Sequence, residues 1–154
     1  MVRDMQESSD YSGKGRRGGP KTRNSNQWTE ARFRSFIRSQ LRAATMRWGP
    51  IAECLKTARV GRGEYLCAGC KETVPATIKV NGRRTKNVHV DHILPIVDPD
   101  VGFVSYDELI ERMFCEAPNL QVLCTECHTV KTDDEKARAK ARRARDKGND
   151  IDDL

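Results

Sequence analysis

At 154 residues, 37% of them hydrophobic and 32% charged, the chain has material for one compact domain with tails and hardly for two. The formal charge of +6 favours polyanionic partners, because neutralising phosphates releases their condensed counterions. No run approaches the ~20 apolar residues of a membrane span and no secretory-type apolar stretch opens the chain, so no membrane partner and a cytoplasmic location are expected.

Residues 1–26 are rich in Ser, Gly and Asn, carry Lys14, Arg16, Arg17, Lys21 and Arg23, and hold almost nothing apolar. With no burial to offset chain entropy, this stretch reads as a disordered basic arm, either a plain solubilising tail or a DNA contact. From Trp28 the pattern changes: Phe33, Phe36, Ile37, Leu41, Ala44 and Trp48 recur at three- and four-residue spacing, which predicts a helix capped by Thr29 and ended by Gly49-Pro50. Arg34, Arg38 and Arg42 repeat every four residues along it and form either a solvated stripe or a ridge that tracks DNA phosphates. A second short helix over 51–58 completes a helical N-terminal extension, 27–60, and Gly61-Arg62-Gly63 reads as a linker.

Residues 64–66 form a short strand candidate that runs into Cys67-Ala68-Gly69-Cys70. The β-rich runs 76–80 and 87–90 flank Asn81-Gly82, the dipeptide best suited to a tight hairpin turn, with residues 83–86 making the second arm longer or irregular. Ser105 and Glu108 have capping-box spacing at the head of a helix over 105–114. A strand candidate covers 120–123. From Thr125 a helix runs on through a stretch alternating alanine with base, which has no apolar face and faces two outcomes, fraying or DNA contact. The expected organisation is therefore an α+β domain over 61–136, then a basic helix and an acidic, disordered tail over 137–154.

Six cysteines without an export signal argue against a disulfide framework, and two of their gaps are Cys-x-x-Cys. Cys67, Cys70, Cys124 and Cys127 complete a four-thiolate set, which closes the coordination shell of Zn2+ and leaves no open position for water, so this zinc should be structural. Cys127-His128 also fits the C-x-x-C-H pattern of haem attachment. The matching upstream knuckle and the scarcity of apolar residues to wrap a porphyrin count against it, and no βαβ unit supports a redox pair. Cys54 and Cys115 read as small buried apolar residues.

Asp91-His92-Ile93-Leu94-Pro95, then Asn119-Leu120-Gln121-Val122-Leu123-Cys124, then Cys127-His128 with Lys131-Thr132 resemble the HNH endonuclease family in order and interleaving. The chemistry can also be argued without the family. Hydrolysis of a phosphodiester needs an activated water and a charge beside the phosphorus; Asp91 and His128 offer a hard oxygen and a neutral nitrogen to a divalent cation, and His92 has a pKa suited to a general base. The resemblance implies the same roles, with Asn119 supporting the base rather than binding metal. It further implies a ββα-metal (His-Me finger) core braced by the zinc site, Mg2+, Mn2+ or Ni2+ as catalytic ion, and double-stranded DNA as substrate. Adjacent Cys127 and His128 point about 100° apart on a helix, so the zinc would position the catalytic ligand. His89 shares a strand face with Asp91 and reads mainly as a surface residue, with tuning or extending the metal site as the alternative. Lys131 is either a phosphate contact or a solvated charge.

The small size and basic flanks are similar to stand-alone HNH proteins of bacteriophages, which implies a monomer or weak dimer acting in the bacterial host cytoplasm, with phage DNA-processing proteins as further partners. The rival from another class is a non-catalytic zinc-ribbon module that binds DNA or a protein. Two departures from the family stand out. Lys131 and Thr132 occupy the region where some members carry another histidine, and the insert over 96–118 is longer than in the smallest members.

Overall fold

A computed structural model of the protein describes residues 19–149, so the expected disorder of 1–18 and of the acidic end 150–154 lies outside the described residues. The chain divides into two compact units, Met1–Gln40 and Leu41–Leu154. The boundary between them falls inside the first helix.

In the first unit, β1 (Lys21–Arg23) pairs antiparallel with β2 (Trp28–Thr29), where the sequence suggested a disordered arm through 26. Asn24, Ser25 and Asn26 all take positive φ, a conformation that Asn tolerates better than most residues, and Gln27 N closes the turn on Arg23 O at 3.1 Å. Among the described residues of this unit none is fully buried, and the Arg23 guanidinium bonds Glu30 at 2.7 Å and lies 4.7 Å above the Phe33 ring. The helix α1 (Glu30–Thr45) starts as expected, with Thr29 Oγ1 accepting from Arg32 N at 3.2 Å.

The second unit opens on the end of α1. Gly49-Pro50 begins the next helix, α2 (Gly49–Thr57), where a proline in the first turn gives up an N–H that has no helical partner anyway. Trp48 anchors that junction, its Nε1 donating to Cys115 O at 2.8 Å and its ring meeting Phe114 edge-on at 5.5 Å. The Gly-Arg-Gly stretch is the turn of a hairpin between β3 (Arg59–Gly61) and β4 (Glu64–Leu66), with Gly63 at φ +76°. Strand β4 continues through the first cysteine pair to β5 (Thr73–Pro75), its antiparallel neighbour.

Asn81 and Gly82, both at positive φ, join β6 (Thr77–Val80) to β7 (Arg83–Lys86). A two-residue turn fixes the register at once, so the hairpin forms as expected but its second arm is 83–86 alone, paired regularly, and 87–90 takes no part in it. Residues 87–90 serve elsewhere. Buried Asn87 breaks the ribbon, its N donating to Ala76 O (2.9 Å) and its side chain to Pro75 O (3.0 Å), and the chain enters β8 (Val88–His92).

Helix α3 (Tyr106–Met113) is capped by Ser105 Oγ, which accepts from Glu108 N at 3.1 Å, and it buries Leu109 and Met113. A 3-10 turn at Ala117–Asn119 leads into β9 (Leu120–Cys124), which pairs antiparallel with β8 from Val88↔Cys124 to His92↔Leu120. The last element, α4 (Thr125–Asn149), is one helix of 25 residues. Val88, Leu109, Met113, Leu120, Val122 and Leu123 form the core with Cys67 and Cys124, and α2 packs on β9. The molecule is thus α+β, with small antiparallel sheets among helices. The basic stretch of α4 finds an internal partner: Arg138 pairs with Asp100 and Arg142 packs on Gly102, so close that any Cβ there would collide with its guanidinium. Among the described residues no helix is long and apolar enough to cross a membrane.

Candidate functional site

The two cysteine knuckles come together from opposite ends of the second unit. Cys67 and Cys70 follow β4, where Cys67 N donates to Glu72 O at 2.9 Å and Lys71 takes φ +65° to close the loop. Cys124 ends β9 and Cys127 sits in the first turn of α4. The four Sγ atoms lie within 4.8 Å of one another. Zinc–sulfur bonds of about 2.3 Å in a tetrahedron place sulfurs roughly 3.8 Å apart, so the set fits a structural Zn2+ after a small contraction.

The environment already favours thiolate at one position. Burial works against charge on Cys67, but the backbone amides of Cys124, Cys70 and Gly69 outweigh it and bring its pKa down to about 6. Hydrogen bonding to Cys124, burial and the charge on Cys67 push Cys127 up to about 12. Gly69 is required by crowding, since a Cβ there would come within 2.8 Å of both Cβ and Sγ of Cys127.

A second cluster lies at the far end of β8. Asp91 stands opposite Gln121 in the β8–β9 register and His92 opposite Leu120. The two carboxylate oxygens of Asp91 face different partners: Oδ1 is 3.9 Å from Nε2 of His128, while Oδ2 accepts from Lys131 Nζ (3.0 Å) and Gln121 Nε2 (3.2 Å). Two metal bonds of about 2.1 Å can span up to roughly 4.2 Å, so Oδ1 and the His128 nitrogen are close enough to share one small divalent cation.

His92 Nε2 lies 3.1 Å from Met113 O. A carbonyl only accepts, so Nε2 carries the proton in the neutral ring and Nδ1 is left as the basic nitrogen. Asn119 grips the loop after His92: its Oδ1 accepts from Leu94 N (2.9 Å), its Nδ2 donates to Leu94 O (3.5 Å), and its own carbonyl accepts from Ile93 N (2.9 Å).

Lys131, expected as a phosphate contact or a solvated charge, points inward. Its ammonium donates to His92 O (2.8 Å), Glu135 Oε1 (2.5 Å) and Asp91 Oδ2 (3.0 Å), which uses all three of its donors. Burial opposes its charge, but the Glu135 and Asp91 carboxylates prevail and raise its pKa above the usual lysine value. His89, read from sequence mainly as a surface residue, stacks on the His128 ring at 4.8 Å between centroids and 17° between planes, with its Nε2 3.2 Å from Thr125 Oγ1. Burial lowers its pKa, helped by His128 and Lys86.

Sequence reasoning missed Gln121 and Glu135. Gln121 becomes legible once the β8–β9 register is known, and Glu135 lies one helical turn after Lys131, a spacing that favours ion pairs. Arg34, Arg38 and Arg42 are exposed along α1, and Arg34 is tied to Glu30 at 3.4 Å. Comparison with known protein families, with curated proteins and with solved structures finds no match.

Proposed function

We propose that the protein is a metal-dependent DNA endonuclease of the HNH type, in which β8, β9 and the head of α4 form a ββα-metal core braced by zinc. The observation that carries this reading is the approach of Asp91 Oδ1 to His128 Nε2 at 3.9 Å, beside a histidine whose Nδ1 is left basic. Asp91 and His128 would hold Mg2+, Mn2+ or Ni2+, and the bound cation would offset negative charge on the phosphate as the bond is cut.

The chain's own groups supply the rest. His92 Nδ1 takes the proton from the attacking water, and its ring is held for that by the Met113 carbonyl. Asn119 fixes the 93–94 loop that follows the base. Lys131 and Gln121 hold Asp91 Oδ2, which turns Oδ1 toward His128. Zinc held by Cys67, Cys70, Cys124 and Cys127 would fix the first turn of α4, where Cys127 lies, and so would orient the neighbouring His128. Net positive charge and the exposed arginines of α1 suit a DNA substrate. The phage-type origin and the host-cell setting rest on the sequence resemblance alone.

A supercoiled-plasmid assay with Mg2+, Mn2+ or Ni2+ tests the reading. Cleavage that disappears in His92→Ala while zinc content and fold persist is the expected result. Intact plasmid with every metal would leave a zinc-ribbon binding module as the better account.

A further inference from the structure

The β6–β7 ribbon is a structural oddity. Residues 73–90 contain four cations, Lys79, Arg83, Arg84 and Lys86, and not one acidic residue. The ribbon pairs only with itself, and all its residues are exposed except Ile78, which is half-buried. A lone two-stranded hairpin in water is marginally stable at best.

Its register makes matters worse. Lys79 stands directly opposite Arg84, and the two-residue strand period puts Lys86 and Thr77 on that same face. Like charges directly opposite each other in a sheet are destabilising. Arg84 Nε donates to Thr77 Oγ1 at 3.2 Å, yet among the described residues none of the four cations is in an ion pair. A face of this kind is relieved when anions settle on it.

The ribbon is rooted beside the candidate active site. Thr125 Oγ1 donates to Lys86 O at 3.4 Å, and the same hydroxyl lies 3.2 Å from the ring of His89, which stacks on His128. From that root four residues per strand project about 13 Å to the Asn81-Gly82 tip. A two-stranded ribbon fits the B-form major groove, about 12 Å wide, whereas the A-form major groove is too narrow for side chains to read.

We propose that the β6–β7 ribbon is the arm with which the protein grips double-stranded DNA, entering the major groove with its Lys79–Arg84–Lys86 face against the phosphates next to Asp91 and His128. The proposal rests on the DNA-endonuclease reading and adds the docking surface to it.

The test is fluorescence anisotropy of the zinc-loaded full chain with a labelled duplex DNA across a salt series, with no catalytic metal added. The proteins compared are the wild type, a Lys79→Gln/Arg84→Gln variant and an Arg83→Gln variant on the opposite face. Loss of two phosphate contacts should weaken binding about tenfold and flatten the log–log salt slope by about 2, with Arg83→Gln changing less. Equal zinc content and circular dichroism show that all three proteins fold. If the wild type binds DNA and the double variant binds equally well, the ribbon assignment is overturned while DNA binding stands. If the wild type binds no duplex DNA, the partner itself is wrong, and if it binds an RNA duplex equally well, the groove assignment fails.

Discussion

Oδ1 of Asp91 faces Nε2 of His128 across 3.9 Å, and the other oxygen of the same carboxylate is already committed to Lys131 and Gln121. The carboxylate is therefore set to offer a single oxygen toward His128. Asp91→Asn or His128→Ala should abolish cleavage and should also weaken Mn2+ binding read by electron paramagnetic resonance. Unchanged Mn2+ affinity in both variants would show that these residues do not share an ion.

His92 is expected to behave differently from that pair. Among the described residues its ring hydrogen-bonds neither the Asp91 carboxylate nor His128, and Nε2 is engaged by Met113 O, so His92→Ala should cut kcat by about 10²–10⁴-fold while leaving Mn2+ affinity intact. Single-turnover cleavage measured beside metal titration separates the two effects; a parallel loss of both would make His92 a ligand.

Lys131 ties α4 to the end of β8 through two oxygens, the His92 carbonyl and Asp91 Oδ2, and also bonds Glu135 on its own helix. Lys131→Met leaves the partly buried Asp91 and Glu135 carboxylates without their shared cation, and should cost about 1–3 kcal/mol of stability, allowing for partial exposure. Urea unfolding of the zinc-loaded protein measures it. Wild-type stability would mean that the ammonium is dispensable to the fold.

Much of this arrangement was legible in the sequence where the signal was local. Ser105 and Thr29 cap the helices that their spacing predicted, and the paired Cys-x-x-Cys units meet as a four-thiol cluster. The failures came where a non-local contact decides. In the sequence the stronger β propensity of 87–90 outweighed the Asn81-Gly82 signal; the tight turn took the nearer strand, 83–86, and released Val88–His92 to pair with Leu120–Cys124. That exchange brings Asp91 opposite Gln121, so the Gln121 bond was hidden until the register was known. The same holds for Arg138 and Arg142, whose anchoring by Asp100 and Gly102 joins stretches nearly forty residues apart.

Gly69 carries a prediction for the zinc site. A methyl group there meets Cys127 at 2.8 Å on both Cβ and Sγ, with the Leu123 side chain only slightly farther at 3.4 Å, so the knuckle must open. Gly69→Ala should lower zinc affinity by about tenfold or more, measured by competition with a chromophoric chelator. Gly49→Ala, where no atom lies within 4 Å of the added methyl group and the backbone is not left-handed, serves as the contrast and should leave zinc binding unchanged. Equal affinities in both variants would show that the knuckle tolerates the methyl group.

Proton release on zinc binding follows from the thiol pKa values. Cys67, held down to about 6, is already a thiolate at pH 7.5 and gives up nothing, whereas Cys127, pushed up to about 12, must lose its proton, and Cys70, also raised, must do the same. Zinc binding at pH 7.5 should therefore release fewer than four protons, and calorimetry in buffers of different ionisation enthalpy counts them. Lowering the pH adds protons that compete with the ion. A depressed pKa favours the folded, charged form above the ordinary thiol value, and this advantage of Cys67 disappears as pH falls through about 6, so apparent zinc affinity should drop more steeply below that point. A release of four protons at pH 7.5, with no steepening near pH 6, would mean that the backbone amides do not prepare Cys67 for the metal.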